Sequence, residues 1–404
     1  MLLFALIAAV VTIPLKNNIN SIAIILFVVA CLLQQPLKDA GLKLRKSFFW
    51  MIPVVYFLWI SCTYFWDSSG AYTIKELERY TIFLFLPPAL ALVPTISPKN
   101  IRTALLSFTV TVIIVCLLCL WKANQEYNVT GDYRVFYYQY LGEQMQLNAI
   151  FLSNYCLASI TWLLYYGFLE KGKKSFLKLT GVLTACAFLL FMLLLLSSKL
   201  VLLLTFLIIV LFLLALGYLR GYFLRSIVIT LLLLVASFIA VRNIHYLNWR
   251  VTSTTFETYS GPEDDNNGIA IRLFMWERAL ELIEQRPYTG YGLRGARQEL
   301  LEAYRKNNFK LGVDGYYHSH NQYLESALMA GIPATIILIC FIMMGLRKAV
   351  AQKNFLLILM ISHFALQSIF EATFEVQHEL VFYTFFIFLF YYHAPESRNN
   401  FSIT

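Results

Sequence analysis

Residues 179–219 read LTGVLTACAFLLFMLLLLSSKLVLLLTFLIIVLFLLALGYL, an apolar run of about forty positions whose one clear polar break is Ser197-Ser198-Lys199. The hydrocarbon core of a bilayer is about 30 Å thick and takes about 20 helical residues to cross. The run is twice that length, so it reads as two spans joined by a tight hairpin, with Lys199 at its tip. Working outward, apolar segments recur at 2–15, 20–34, 48–66, 80–95, 102–121, 148–168, 178–196, 200–219, 224–241, 322–346, 354–371 and 378–393. That pattern predicts an all-α polytopic membrane protein of about twelve spans.

Composition agrees. Hydrophobic residues make up 59% of the 404 positions, charged residues only 14%, and mean hydropathy is +0.66. A water-soluble domain is closer to half apolar and a quarter charged. The net charge of +9 does not point to nucleic acid, because the basic residues cluster in short turns between apolar segments, where they set topology. Cys31, Cys62, Cys116, Cys119, Cys156, Cys186 and Cys340 all lie in or beside apolar segments. Even the Cys116/Cys119 pair therefore reads as small apolar filler, with no disulfide framework. The N-terminal stretch has neither a basic region nor a small-residue cleavage site and reads as the first span.

Counting basic residues by alternate loops gives the orientation. Lys38, Lys43, Arg45, Lys46, Lys99, Arg102, Lys171, Lys173, Lys174, Lys178, Arg220, Arg225, Arg347, Lys348, Lys353 and Arg398 fall on one side, sixteen in all. The alternate short loops hold six: Lys16, Lys75, Arg79, Lys122, Arg134 and Lys199. The positive-inside rule then puts both termini in the cytoplasm, and the 122–147 loop, the Lys199 hairpin and the long segment 242–321 outside. The chain thus divides into a bundle over 1–241, a large external loop over 242–321, and three further spans with a short tail over 322–404.

The external loop opens with a turn-rich stretch from Thr252 to Gly268. An amphipathic helix follows, with Leu273, Trp276, Leu280 and Ile283 as its apolar stripe and Glu277, Arg278, Glu281 and Glu284 facing away. Pro287 ends it. Gly290, Gly292 and Gly295 punctuate a turn into a second helical stretch over about 295–306, and Tyr316-Tyr317-His318-Ser319-His320-Asn321 returns the chain to the membrane. An apolar face of this kind is expected to pack on the bundle.

Three motifs in this region carry a resemblance. They are Ile271-Arg272-Leu273-Phe274-Met275-Trp276-Glu277, the turn Pro287-Tyr288-Thr289-Gly290-Tyr291-Gly292, and His320-Asn321-Gln322-Tyr323-Leu324-Glu325 with Gly331 eleven residues after the histidine. In order, spacing and membrane side they resemble the O-antigen ligase/polymerase superfamily, over about 190–335 by motif and over the whole chain by topology. The resemblance implies a GT-C-like helical bundle in the bacterial inner membrane. It also implies a metal-independent glycosyltransferase without a cofactor, which takes a glycan from undecaprenyl diphosphate on the periplasmic face. In the ligase branch the acceptor is the sugar core on lipid A; in other branches it is another glycan or a protein hydroxyl.

The residue types suit that chemistry. Breaking an anomeric bond to a lipid diphosphate develops negative charge on phosphate oxygens, which fixed cations stabilise. A neutral imidazole can take the proton of the attacking hydroxyl. His320, where the loop meets a span, is the candidate base; an interfacial histidine packed among aromatics is the plainer alternative. Arg272 is the candidate grip on the diphosphate, a cation mildly misplaced at a helix start. Lys199 is the second candidate cation. The family usually has arginine at that hairpin, and lysine keeps the charge but loses the bidentate fork. Asn321 and Glu325, one helical turn apart, are read as holding the loop–helix junction, with His318 supporting the loop. His318 and His320 form a His-x-His, but with no third ligand cluster evident, metal is not expected.

The remaining charges read more plainly. Glu371, Glu375, His378 and Glu379 read as a solvated turn, with lining of the acceptor side as the alternative; Arg278, Arg286, Arg294 and Arg297 read as loop-surface or headgroup contacts; Arg79 and Arg134 could join the anionic site, but nothing singles them out. The short 122–147 loop favours a ligase over a polymerase, which tends to carry two sizeable external loops. A protein O-oligosaccharyltransferase differs only in its acceptor. A transporter or flippase would show charged residues mid-span and duplicated halves, which the chain lacks. A metal-dependent oligosaccharyltransferase would need carboxylates in the first external loop, and residues 15–20 offer none.

Overall fold

Helix boundaries follow local chemistry. Ser97 accepts a hydrogen bond from the Asn100 N–H, and Pro98 opens the longest helix, Pro98–Thr130, which stops at Gly131 with φ +68°. A side-chain acceptor, a proline without an N–H to satisfy and a left-handed glycine are the standard punctuation of such a helix. Asn148, Ser175, Asn321 and Asn354 cap four further helices in the same way.

The computed structural model describes residues 1–34, 44, 47–69, 74–93, 96–169, 175–219, 221–243, 261 and 268–393. Most of the turn-rich stretch 252–267 lies outside these residues. So do Lys38, Lys43, Arg45, Lys46, Lys171, Lys173, Lys174, Arg220 and Arg398. Among the described residues the regular structure is helical, with no strand. Each predicted apolar segment falls on a helix: Leu2–Thr12, Asn17–Leu33, Met51–Cys62, Ile82–Leu92, Pro98–Thr130, Ala149–Leu164, Phe176–Leu196, Lys199–Leu219, Phe223–Asn243, Gln322–Ala351, Phe355–Phe370 and Gln377–His393. Among the described residues, five helices are long and apolar enough to cross a membrane: Pro98–Thr130, Ala149–Leu169, Phe176–Leu196, Lys199–Tyr218 and Gln322–Ala351.

The centre of the bundle is Gln377–His393, buried along almost its whole length. Its phenylalanines reach every side: Phe385 meets Phe27 at 5.3 Å, Phe386 meets Trp162 at 4.7 Å and Phe388 meets Phe49 at 5.1 Å. Between helices in lipid, such packing supplies dispersion rather than a hydrophobic driving force. Helices Phe176–Leu196 and Lys199–Leu219 instead present Leu183, Phe191, Leu194, Leu203, Leu207 and Leu211 outward. They do not form the tight helical hairpin expected. The chain turns sharply at Ser197, φ +43°, but Lys199–Leu219 packs chiefly on Phe223–Asn243 and Ala149–Leu164.

Alternate loops gather at one end, as the span alternation requires. His378 Nδ1 lies 3.3 Å from the Ile13 carbonyl, Gln377 donates to Ser21, Arg79 pairs with Glu375 and Arg272 with Glu371. Ser47, Leu90, Ile96 and Asn354 meet Tyr391, His393 and Phe390 at the other end.

The large loop folds onto the first of these ends. Its helix Gly268–Gln285 buries Ile271, Phe274, Met275, Ala279, Leu282 and Ile283. The expected stripe is therefore rotated by about one residue: Ile283 belongs to it, Leu273 and Trp276 are half-buried, and Leu280 is exposed. The rotation brings Phe274 to 5.0 Å from Phe309, which in turn packs on Tyr304 of helix Gly295–Lys306 at 5.1 Å. The loop thus has an aromatic core of its own, and this core sets the helix's orientation.

A backbone staple fixes the loop to the bundle. Helix Gln322–Ala351 breaks at Ala330 and Gly331 (φ +75°), just before Pro333, so backbone groups there lose their helical partners. Turn 287–292 replaces them: Tyr291 N donates to Leu328 O at 2.8 Å, Gly292 N to Met329 O at 2.9 Å, and Ile332 N to Pro287 O at 2.7 Å. Trp59 Nε1 donates to Ala330 O at 2.8 Å. The approach is so close that a Cβ on Gly331 would stand 2.3 Å from the Tyr288 carbonyl oxygen. Asp67 then accepts from Arg294 N and Gly295 N and so caps helix Gly295–Lys306 from another loop.

Candidate active site

The last turn of the loop is built around His320. Asn321 caps helix Gln322–Ala351 by accepting from the Tyr323 and Leu324 N–H groups at 2.9 and 3.1 Å. Buried Glu325, one turn in, accepts from Ser319 N at 3.0 Å and from Ser319 Oγ at 2.6 Å. On the other side, His320 N donates to His318 Nδ1 at 3.0 Å. These contacts hold His320 at φ +48°, a left-handed conformation that costs a non-glycine residue energy and is tolerated where surroundings enforce it. The expected supporting roles of Asn321, Glu325 and His318 correspond to these bonds.

The side chain of His320 meets a carboxylate. Its Nδ1 lies 3.1 Å from Glu371 Oε2, while Arg272 Nη2 donates to Glu371 Oε1 at 2.8 Å. Because an ionised carboxylate only accepts, Nδ1 carries a proton, and in the neutral imidazole this leaves the Nε2 lone pair available. Arg272 is anchored further by Nε to Phe370 O at 3.1 Å and Nη1 to Gly268 O at 3.0 Å. These bonds use three of its five N–H groups, and its side chain remains 25% exposed. Glu371 is 11% exposed. Burial pushes its pKa up, but His320 and Arg272 outweigh that and hold it below the usual carboxylate range.

A second carboxylate in the same turn holds two more arginines. Glu375 Oε2 lies 3.4 Å from both Arg79 Nη2 and Arg297 Nη2, and its Oε1 accepts from Tyr80 at 2.6 Å. Arg79 also bonds the Glu375 backbone carbonyl, and Arg297 the Tyr316 carbonyl at 2.8 Å. The turn holding Glu371, Glu375, His378 and Glu379 is therefore not the solvated one expected: Glu379 is fully buried and bonded to Asn154 at 2.8 Å. Nor is Arg297 a surface contact. Arg134 pairs with Asp132 in its own loop, and Arg278 with Glu277 and Glu281. Lys199 is exposed at the first residue of helix Lys199–Leu219. The Glu371 bridge described here is made by Arg272 and His320.

Glu371 also supplies the third donor that the His-x-His lacked in sequence, since His318, His320 and Glu371 bring ligand atoms within 4.8 Å of one another. The surroundings suit an anion better than a cation. Burial, then His320, Arg297, Arg272 and Arg79, push His318 well below its ordinary pKa. Three guanidiniums thus bear on the spot a metal ion would occupy. Within the bundle, a small apolar cavity lies among Tyr56, Phe83, Phe364, Phe374 and Tyr383.

Residues 184–339 match a protein-family model described as O-Antigen ligase. That segment is similar to the O-antigen ligase superfamily. No curated protein matches the chain. The O-antigen ligase segment contains Lys199, Arg272, His318, His320, Asn321 and Glu325; Arg79, Glu371 and Glu375 come from outside it. The similarity supports a ligase- or polymerase-type glycosyltransferase in a multi-pass membrane protein. The residues missed by sequence reasoning did carry a signal. A carboxylate at the edge of an apolar helix is expensive unless it is paired, and Glu371 directly follows Phe355–Phe370.

Proposed function

We propose that the protein transfers a glycan from undecaprenyl diphosphate to an acceptor hydroxyl, a lipid A-core sugar, on the periplasmic face of the bacterial inner membrane. In this reading it spans the membrane about twelve times, and both termini are cytoplasmic. The observation that carries it is Glu371 bridging Arg272 and His320 where the loop meets the bundle. A base and an anion-binding cation are thereby held on one rigid carboxylate.

His320 Nε2 takes the proton of the acceptor hydroxyl as its oxygen forms the new bond to the anomeric carbon. The bond from that carbon to the diphosphate oxygen breaks, and the electron pair leaves on the diphosphate. Arg272 meets the developing charge with its remaining N–H groups, and Lys199, at the start of helix Lys199–Leu219, is proposed to add a second positive charge. Glu371 keeps the imidazole in the required tautomer and stabilises the imidazolium that forms. The proton then passes to water or to the departing diphosphate. No metal or cofactor takes part in this reading.

The test is transfer by purified protein from a prenyl-diphosphate glycan. His320→Ala and Arg272→Ala should abolish transfer while the protein still inserts normally, and EDTA should leave wild-type activity intact. Full activity in His320→Ala would overturn the mechanism. In cells, deletion should leave lipid-linked polymer beside bare lipid A-core on a gel. A core capped by a single repeat would instead mean a polymerase, and loss of protein glycosylation alone a protein-directed transferase.

A further inference from the structure

The Arg79–Glu375–Arg297 cluster has no part in the mechanism above, yet it is built like an occupied anion seat. Its two guanidiniums come from segments more than 200 residues apart and converge on a single carboxylate oxygen at 3.4 Å each. Both contacts are long for charge-assisted hydrogen bonds, which run to about 2.7–2.9 Å. Arg297 Nε is buried without a hydrogen-bond partner among the described residues, so this guanidinium is not saturated by Glu375. The arginine side chains are 28% and 18% exposed, and Glu375 only 8%. The seat thus lies within reach of a soluble group while its present occupant is internal. It lies one helical turn's worth of chain from Glu371, on the same turn between Phe355–Phe370 and Gln377–His393.

We propose that Arg79 and Arg297 form a second anion-binding subsite, filled by the Glu375 carboxylate in the unliganded protein, which takes a phosphoryl or carboxyl group of a substrate while Arg272 and His320 act at the anomeric centre. The subsite rests on the glycan-transfer reading for its substrates, and its ligand is identified by charge and oxygen geometry. A phosphoryl group offers more acceptor oxygens than a carboxylate and reaches all the donors that Glu375 meets at 3.4 Å, with the idle Arg297 Nε as well. Tyr80, now donating to Glu375 Oε1 at 2.6 Å, keeps the displaced carboxylate nearby, so the exchange is reversible. The donor's distal phosphate and an acidic substituent on the acceptor are the two sources of such a group.

Binding of inorganic pyrophosphate to the detergent-solubilised full chain tests this without any transfer reaction. Glu375→Gln removes the competing charge in the same shape and should tighten pyrophosphate binding about tenfold, the scale of one charge-assisted contact. Adding Arg297→Gln to that variant should return the affinity to wild type or below. An affinity unchanged by Glu375→Gln overturns the proposal, and that variant also serves if Arg297→Gln fails to fold. In transfer assays, Arg297→Gln should raise one KM and spare kcat. A raised donor KM assigns the anion to the distal phosphate and a raised acceptor KM assigns it to an acidic acceptor group; neither moving refutes the subsite. Pyrophosphate binding that responds as expected in a protein unable to transfer glycan would remove the proposed function and leave the subsite standing.

Discussion

Glu371→Gln tests the centre with almost no change in shape. Arg272 has donors and no acceptor, so the new amide must keep its oxygen toward Arg272 Nη2, now 2.8 Å from the carboxylate. That turns the amide NH2 toward His320 Nδ1, 3.1 Å from the other oxygen. An NH2 group only donates, so Nδ1 must become the acceptor and the imidazole proton moves to Nε2. The lone pair that would receive the acceptor's proton is then gone. A general base contributes about 10²–10⁴ in rate, and a wrong tautomer in the serine-protease triad costs about 10⁴. We expect kcat to fall by about 10²–10⁴, with KM for the donor rising less because Arg272 keeps its place. Folding should lose about 1–3 kcal/mol, since both contacts survive but no longer join opposite charges. Single-turnover transfer from a prenyl-diphosphate glycan, measured beside thermal unfolding in the same detergent, separates the two effects. A well-folded Glu371→Gln protein with kcat within about threefold of wild type would refute the tautomer argument.

Two further outcomes follow from the geometry. The unfolded chain protonates His318 near pH 6.5, whereas the folded chain, with His318 held well below that value, does not. The unfolded state therefore binds more protons between those values, and stability falls as pH drops below about 6.5, by up to ~1.4 kcal/mol per pH unit. His318→Gln should lessen that slope in unfolding midpoints taken from pH 7 to 5, and an unchanged slope would contradict the assignment. Gly331→Ala forces a side chain into φ +75° and a Cβ to 2.3 Å from the Tyr288 oxygen. It should cost about 2 kcal/mol or more and loosen the loop, detectable as faster proteolysis at 287–292; wild-type protease resistance would argue against the staple.

The helical fold was legible because its signal is long-range and redundant: each apolar segment is a window of many residues, and neighbours at the edges cannot change its character. His320, Asn321 and Glu325 stand out in sequence because they sit in one continuous motif at a helix start, and Arg272 because it sits in a second motif within the first turns of another helix. The rotation of helix Gly268–Gln285 was not legible. Its stripe was chosen by counting apolar residues, whereas the aromatic packing of Phe274 on Phe309 and Tyr304 decides which face turns inward. The break at Ala330–Gly331 was equally hidden, because the backbone donors that make it tolerable come from 287–292, some forty residues away in sequence.

The carboxylates are the instructive case, because two physical rules together would have found them. Alternation of the apolar segments predicted from sequence groups the loops at 13–20, 66–80, 122–147, 197–199, 242–321 and 371–377, so a counter-charge for Arg272 or Arg297 is to be sought in one of these. Cost then discriminates among their acids. An acid in a roomy polar loop, such as Asp132, is hydrated or pairs with its neighbour, as it does with Arg134. Glu371 and Glu375 are held in a turn of six residues between the apolar helices Phe355–Phe370 and Gln377–His393, flanked by Phe370 and Phe374, where hydration is poor and an unpaired charge is expensive. Such acids must find cations, and the ones they meet are Arg79, Arg272 and Arg297. Solvation cost, applied after loop parity, therefore predicts that these acids are paired, and the fold decides with which cations. It also explains why the short last turn, rather than the large loop, supplies the anions around which the site is assembled.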